Sequence, residues 1–403
     1  MPSRQLLVDI SVIHSGDAHT GIQRVVRSLL LQLLNSPPCG YVICPVFATR
    51  SKQYRHTSRD FFLAHLLKES ISSSAASKVT RDTDSIQVLD GDIFLGLDLA
   101  AHILPVHRRQ LLGWKRAGLK VHMLVYDLLP LQHPEWFNAR TSWNFRRWIK
   151  CVAIYADSAV CISNTVKADL GAFLLRQFKL PHNSVVVSTI VLGADIGASV
   201  PTKGLAAEAK LILTRLRAVP GVLMVGTLEP RKGYDQALAA FELLRQVASS
   251  AAVLVIVGRP GWKTANLQRQ IRSHPQLNTQ IFWFDDASDE LLQELYAVCR
   301  GVLVASHGEG FGLPLVEAAL QSKPILARDI PVFRELCLPN ISFFNGSTPK
   351  ALAQAISEWL ADTASEPSSV PIRGTAQAVS ELYLWKTAAS DLLRNLGLQC
   401  TAQ

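Results

Sequence analysis

The sequence predicts an α/β protein built from two doubly wound units, each a parallel sheet with helices on both faces. Three observations carry that prediction. The 403 residues exceed what one hydrophobic core usually encloses. Short apolar runs alternate with helical patterns almost throughout, as parallel sheets require. Residues 199–220, with Pro201, Lys203, Gly204 and Pro220, read as a boundary between two such series.

The elements follow in order. LLVDISV (6–12) is the first strand, and the loop HSGDAHTG leads into IQRVVRSLLLQLL. There Ile22, Val25, Val26, Leu29, Leu30 and Leu33 follow the i, i+3, i+4, i+7 rule, and Thr20 is placed to cap the helix. Further strands are expected at 41–48, 92–98, 120–127, 158–163 and 184–193. The second series begins with GVLMVGT (221–227), then the helix YDQALAAFELLRQV, AAVLVIVGR (251–259) and IFWFD (281–285). It continues with the helix DELLQELYAVC, GVLVAS (301–306), the helix PLVEAALQ and KPILARD (323–329). TASEPSSVPIRG (363–374) reads as a second flexible segment, followed by a last helix within 381–396.

Composition bounds the function. An apolar content of 48 % describes an ordinary globular chain. Seven cysteines, none in a CxxC pair or at zinc spacing with histidine, read as thiols of a reducing compartment. Met1–Arg4 runs directly into a strand, so no signal peptide is expected, and no run approaches the ~18–20 apolar residues of a membrane span. The expected location is the cytoplasm, with possible peripheral contact at the inner face of the membrane. The net charge of +9 is uneven, because residues 1–200 hold 22 Lys and Arg against 14 Asp and Glu. Two dense basic spots, 107–120 and 140–150, include tryptophans. They read as a solvated face, an anionic membrane surface or an anionic acceptor; no motif for nucleic acid accompanies them.

Doubly wound units bind ligands at the carboxyl ends of their strands, so the exit loops carry the chemistry. In GTLEPRKGYDQAL (226–238), Arg231 and Lys232 leave a strand before Gly233, and two adjacent cations suit a diphosphate. In SHGEGFGLPLVEA (306–318), Gly310 and Gly312 allow close backbone approach and Pro314 fits the first helical turn. Glu309 and Glu317 suit vicinal hydroxyls, a hexose and a ribose respectively. Together these residues describe a site for a sugar nucleotide.

In combination the segments 226–233, 257–262, 289–296 and 309–317 resemble glycosyltransferase family 4, retaining enzymes of the GT-B fold. Residues 20–27, 126–137, 156–165 and 192–195 resemble, more loosely, the subgroup that transfers mannose-like sugars in bacterial surface-polysaccharide assembly. The resemblance implies two Rossmann-like domains facing a cleft: 1–200 for the acceptor, 201–380 for the donor, and a C-terminal helix, 381–403, crossing back. It implies transfer of a mannose- or rhamnose-type hexose from a nucleotide-diphosphate sugar, GDP-linked by preference, to a glycan or lipid-linked glycan. No other cofactor and no metal is expected. Arg231 and Lys232 would bind the diphosphate, Glu309 the hexose and Glu317 the ribose. Gly310, Phe311, Gly312 and Leu313 would line the phosphate and sugar with backbone amides. Phe284 and Asp285 would sit near the base, Gly21 would leave room for a sugar, and Arg24 would face the acceptor. Relatives carry a His-Asp pair where this chain has Tyr126-Asp127; Asp127 remains a catalytic candidate, and Tyr126 or His133 would replace the histidine. Alternatives are a UDP-sugar-dependent transferase and a non-catalytic sugar-nucleotide-binding subunit. An NAD-linked oxidoreductase is excluded because no G-x-G-x-x-G follows the first strand.

Overall fold

A computed structural model describes residues 3–16, 20–57, 85–181, 184–199, 201–247, 252–365 and 381–399. Its backbone hydrogen bonds close two separate sheets. The strands of the first are β1 (Arg4–Asp9), β2 (Tyr41–Phe47), β3 (Arg55–His56), β4 (Ile93–Gly96), β5 (Lys120–Val125), β6 (Ser158–Cys161) and β7 (Val186–Thr189). Those of the second are β8 (Gly221–Val225), β9 (Val253–Val257), β10 (Ile281–Phe284), β11 (Gly301–Val304), β12 (Ile325–Arg328) and β13 (Ile341–Phe344). The orders are β3-β2-β1-β4-β5-β6-β7 and β10-β9-β8-β11-β12-β13. All pairings are parallel except that of the short β3 with β2. Central strands such as β4, β9 and β11 are buried at every residue, as expected of strands covered on both faces.

The helices among the described residues include α1 (Gly21–Asn35), α2 (Arg108–Arg116), α3 (Ala139–Tyr155), α4 (Asn164–Phe178), α5 (Tyr234–Val247), α6 (Asp289–Val298), α7 (Leu313–Leu320), α8 (Pro349–Ser365) and α9 (Trp385–Asn395). Helix α1 starts where the sequence places it. The Thr20 hydroxyl accepts from the Gln23 amide while the Gln23 side chain receives the Thr20 N–H, a complete capping box. The basic spot 107–120 contains α2, and 140–150 lies within α3.

In both sheets the chain order reverses beside the first strand, at β1/β4 and at β8/β11. A crevice opens at the carboxyl ends of the strands at such a point. The last helix, α9, packs against α1 of the first unit although it follows the second in sequence. Its Trp385 is fully buried, and the Trp385 N–H donates to Asp195 at 2.8 Å. Gly193 allows this approach, since a methyl group there would lie 2.3 Å from the Trp385 nitrogen.

Candidate active site

The loops leaving β8 and β11 flank the switch point of the second sheet, so topology alone sets residues 226–233 beside residues 305–312. Gly233, with φ +70°, turns the first loop into α5, and a side chain there would strike the Ala305 carbonyl. Arg231 and Lys232 are thereby held against Glu309. Arg231 Nη1 donates to Glu309 Oε2 at 2.6 Å and to the Gly308 carbonyl at 2.9 Å, and its Nε donates to Glu229 at 2.8 Å. Lys232 Nζ donates to Glu309 Oε1 at 2.5 Å, and the Ser306 hydroxyl to the same oxygen at 2.7 Å. Burial opposes ionisation of Glu309, but Arg231, Lys232 and these hydrogen bonds prevail and hold its carboxyl at about 2. The Arg231 guanidinium is correspondingly held more firmly in its charged form despite burial, by Glu309, Glu229 and Asp127.

The sequence assigned the cations to a diphosphate and Glu309 to a hexose; here they also neutralise one another. Buried charges require such pairing. Glu229 and Ser306 complete the cluster and were not assigned any role from sequence, although Glu229 lies two residues before Arg231.

Asp127 arrives from the first unit, at the exit of β5. A methyl group on Gly310 would lie 1.9 Å from the Tyr126 carbonyl and 3.3 Å from the Asp127 Cβ, so the two units touch at this glycine. Burial pushes the Asp127 carboxyl up to about 6, against the pull of Arg231 and of the Leu129 N–H. Tyr126 itself is turned inward: the residue is 4 % exposed and its hydroxyl donates to the Leu97 carbonyl. Only its backbone meets the glycine loop, so its side chain is not where the relatives' histidine was expected to be replaced. His133 stacks on Trp136 at 4.0 Å between ring centroids, and Trp136 in turn covers Gly308. His122 lies inside β5, where its Nδ1 is paired with the Ser158 hydroxyl.

Glu317 sits one turn into α7, whose N-cap is Gly312 at φ +116° with Pro in the first turn. The Glu317 residue is 2 % exposed. Its Oε2 accepts from the Tyr296 hydroxyl at 2.6 Å, and its Oε1 is paired with Arg24 Nη1. Arg24 also pairs with Asp289 at 3.2 Å. Arg24, expected to face the acceptor, is engaged with the second unit. Tyr296 and Asp289, both on α6, end the segment 289–296 that carries part of the family resemblance, but the sequence assigned neither a role.

The remaining candidates divide. Gly310 and Gly312 lie in the contact loop, and Leu313 opens α7. Phe311 points into the core, edge-on to Tyr383, leaving its backbone for the loop. Phe284 and Asp285 close β10, the outer strand, and Asp285 is half-exposed with Arg272 3.9 Å away. Gly21 is the first residue of α1, and open space surrounds the place of a Cβ there.

At the carboxyl end of the first sheet, Asp9 and Asp98 are buried. Asp9 accepts from the Ser11 N–H and hydroxyl and from the Tyr54 hydroxyl at 2.8 Å; Asp98 accepts from the Val12 and Ile13 N–H groups. Burial raises the Asp9 carboxyl to about 7 and that of Asp98 to about 6. Asp92 accepts from the Gln5 and Leu89 N–H groups. Among the described residues no three His, Cys, Asp or Glu side chains group as they would around a metal ion, and no helix is long and apolar enough to cross a membrane.

Residues 218–372 match the family described as glycosyl transferases group 1. The serotype-specific mannosyltransferase WbdA of Escherichia coli is 39 % identical over 398 residues, which cover 98 % of this chain and 46 % of that protein. The chain thus spans about half the length of the curated relatives it matches first. The O-antigen chain mannosyltransferase B of Escherichia coli is 29 % identical over 181 residues, 45 % of this chain and 46 % of that protein. Anabaena HepE, solved with UDP and glucose, superposes with a TM-score of 0.62 at 17 % identity, covering 97 % of this chain and 99 % of that one. Sucrose-phosphate synthase from Thermosynechococcus elongatus gives 0.62 at 16 % identity, over 98 % and 99 % of the two chains.

Proposed function

We propose that the chain, whose residues 218–372 match the glycosyl transferases group 1 family within a GT-B fold, is a retaining hexosyltransferase of surface-polysaccharide assembly. Its donor is a nucleotide-diphosphate mannose or a similar sugar, GDP-linked by preference, and its acceptor a glycan or lipid-linked glycan. The observation that carries this reading is the buried cluster of Arg231, Lys232 and Glu309 at the switch point of the second sheet, faced by Asp127.

The chemistry follows from that cluster. The bond between the hexose C1 and the diphosphate oxygen breaks, and Arg231 and Lys232 take up the charge that develops on the leaving group. The acceptor hydroxyl forms its bond to C1 on the same face, and its proton passes to a phosphate oxygen. Glu309, ionised throughout the neutral range, orients hexose hydroxyls, and Glu317 those of the ribose. The protein contributes positioning and electrostatics, with the two cations in the place a divalent metal holds elsewhere.

The test is transfer or donor hydrolysis by the purified chain. A thermal-shift panel of UDP, GDP, ADP and their sugars should select GDP and GDP-mannose, and turnover should vanish in Glu309→Ala and survive EDTA. Binding without turnover would favour the non-catalytic subunit; a preference for UDP-sugars, the other donor class. For the acceptor side, α2 and α3 expose Leu112, Trp143 and Ile154 among basic side chains, with Arg147 lying 4.6 Å over the Trp143 ring. Such a face fits an anionic lipid surface. Co-sedimentation with anionic liposomes should exceed that with neutral ones, and equal binding to both would remove the membrane part.

A further inference from the structure

We propose that Arg24 is a positioning residue that competes with the donor for Glu317, and that Asp289 holds it once the donor has displaced it. This deepens the function proposed above and rests on it.

Glu317 is placed for a ribose, yet its carboxylate is already engaged. Tyr296 takes Oε2. Arg24 takes Oε1. The Glu317 side chain is 1 % exposed, whereas that of Arg24 is 20 % exposed, so Arg24 covers the carboxylate on the accessible side. A hydroxyl reaching Oε1 must therefore move the guanidinium. Arg24 belongs to the first turn of α1, in the first unit, and Glu317 to α7, in the second. The pair is a charged strap between the units.

A buried guanidinium left without a partner is costly, which would ordinarily keep Arg24 in place. Here a second carboxylate lowers that cost. Asp289 Oδ1 lies 3.2 Å from Nη2, while Nη1 is paired with Glu317 Oε1. One cation thus stands between two carboxylates, and moving from both to one keeps it paired. Asp289 is not free to follow the ligand, because its Oδ2 accepts from the Thr202 N–H at 2.9 Å and from the Thr202 hydroxyl at 3.0 Å. The Thr202 hydroxyl also receives the Asp289 N–H. Thr202 lies in the segment that joins the two sheets, so the position of Arg24 is read directly by the connector. Donor affinity and the arrangement of the two units are then coupled through a single side chain, in the range of 1–3 kcal/mol or roughly 5- to 150-fold typical of such links.

Isothermal titration of the full chain with GDP, and in parallel with UDP and ADP, tests this. Arg24→Met keeps the apolar stem and removes the charge. It should bind the ribonucleotide on the order of tenfold more tightly than wild type. The 2′,3′-dideoxy form of the same nucleotide has no hydroxyl for Glu317 and should bind both proteins alike. A residue that merely braced the fold would lower the melting temperature without this hydroxyl-dependent gain. Arg24→Lys, which keeps a cation but loses the fork, should show a smaller gain and serves if the Met variant does not fold. Unchanged or weaker ribonucleotide binding in the folded variants would overturn the proposal and leave the donor reading standing. Wild type that binds none of the three nucleotides would overturn both.

Discussion

Glu309 keeps its charge only because of its neighbours, and that makes it the residue whose removal is most informative. Gln is nearly isosteric and can still accept from Ser306, but it leaves Arg231 and Lys232 facing a neutral group. Glu309→Gln should lower transfer by about 10²–10³, the usual cost of losing one preorganised electrostatic contact. Breaking a buried pair should also cost about 3–5 kcal/mol in urea unfolding. The sign of the pH dependence follows from the lowered carboxyl. Stability from Glu309 is complete above its ordinary value of 4.5 and is lost as pH falls toward about 2, so the variant should lack that acid limb. Asp9 works in the opposite sense. Its carboxyl is raised from 3.8 to about 7 by burial, so the folded state binds the proton more tightly than the unfolded one. Stability is therefore lost as pH rises between those values. In Asp9→Asn the amide oxygen still accepts from Ser11 and the amide N–H can donate to the Tyr54 oxygen. Melting curves from pH 4 to 7 should show wild type losing ground to this variant, and parallel curves would refute it.

At the scale of elements, α1 carries Arg24 and begins with a cap that the sequence announces. Thr20→Ala removes the acceptor for the Gln23 N–H and should destabilise by about 1 kcal/mol, read from the thermal midpoint; no change would mean that α9 alone fixes the start of α1. This helix was legible because its apolar period and its cap agree. The central strands of both sheets were legible for a similar reason: covered on both faces, they are short continuous apolar runs, whereas the two-residue β3 was not foreseen. β13 was not, since Ile341–Phe344 is an edge strand with only Phe344 buried and no such run to announce it. The two basic spots contain helices α2 and α3, in which a few buried apolar side chains, such as Leu111, Trp114, Phe145 and Trp148, stand among dense charge. Within the site, Arg231, Lys232 and Glu309 could be read from strand-exit loops. The partners of Glu317 could not. Arg24 is 293 residues away and reaches Glu317 only where the two units meet, and Tyr296 lies 21 residues back on another helix of the same unit.

At the scale of the molecule, the meeting itself is narrow where the chemistry is proposed. Trp262 Nε1 donates to the Trp136 carbonyl at 2.8 Å, and Lys263 Nζ to that of Glu135 at 2.7 Å. Glu335 of the second unit accepts from the Asn164 and Thr165 N–H groups at the start of α4 in the first. Between these contacts Gly310 lies against the Tyr126 carbonyl, closer than any side chain permits. Its backbone is not in the left-handed region, so alanine is disfavoured by the opposing unit and not by local strain. Gly310→Ala should therefore leave each sheet folded and force the units apart at Asp127. A displacement of about 1 Å at a reacting centre costs on the order of 10² in rate. Transfer should fall by roughly that factor. The radius of gyration from solution scattering should rise. Full transfer with unchanged scattering would mean that the two units do not need this contact to act together.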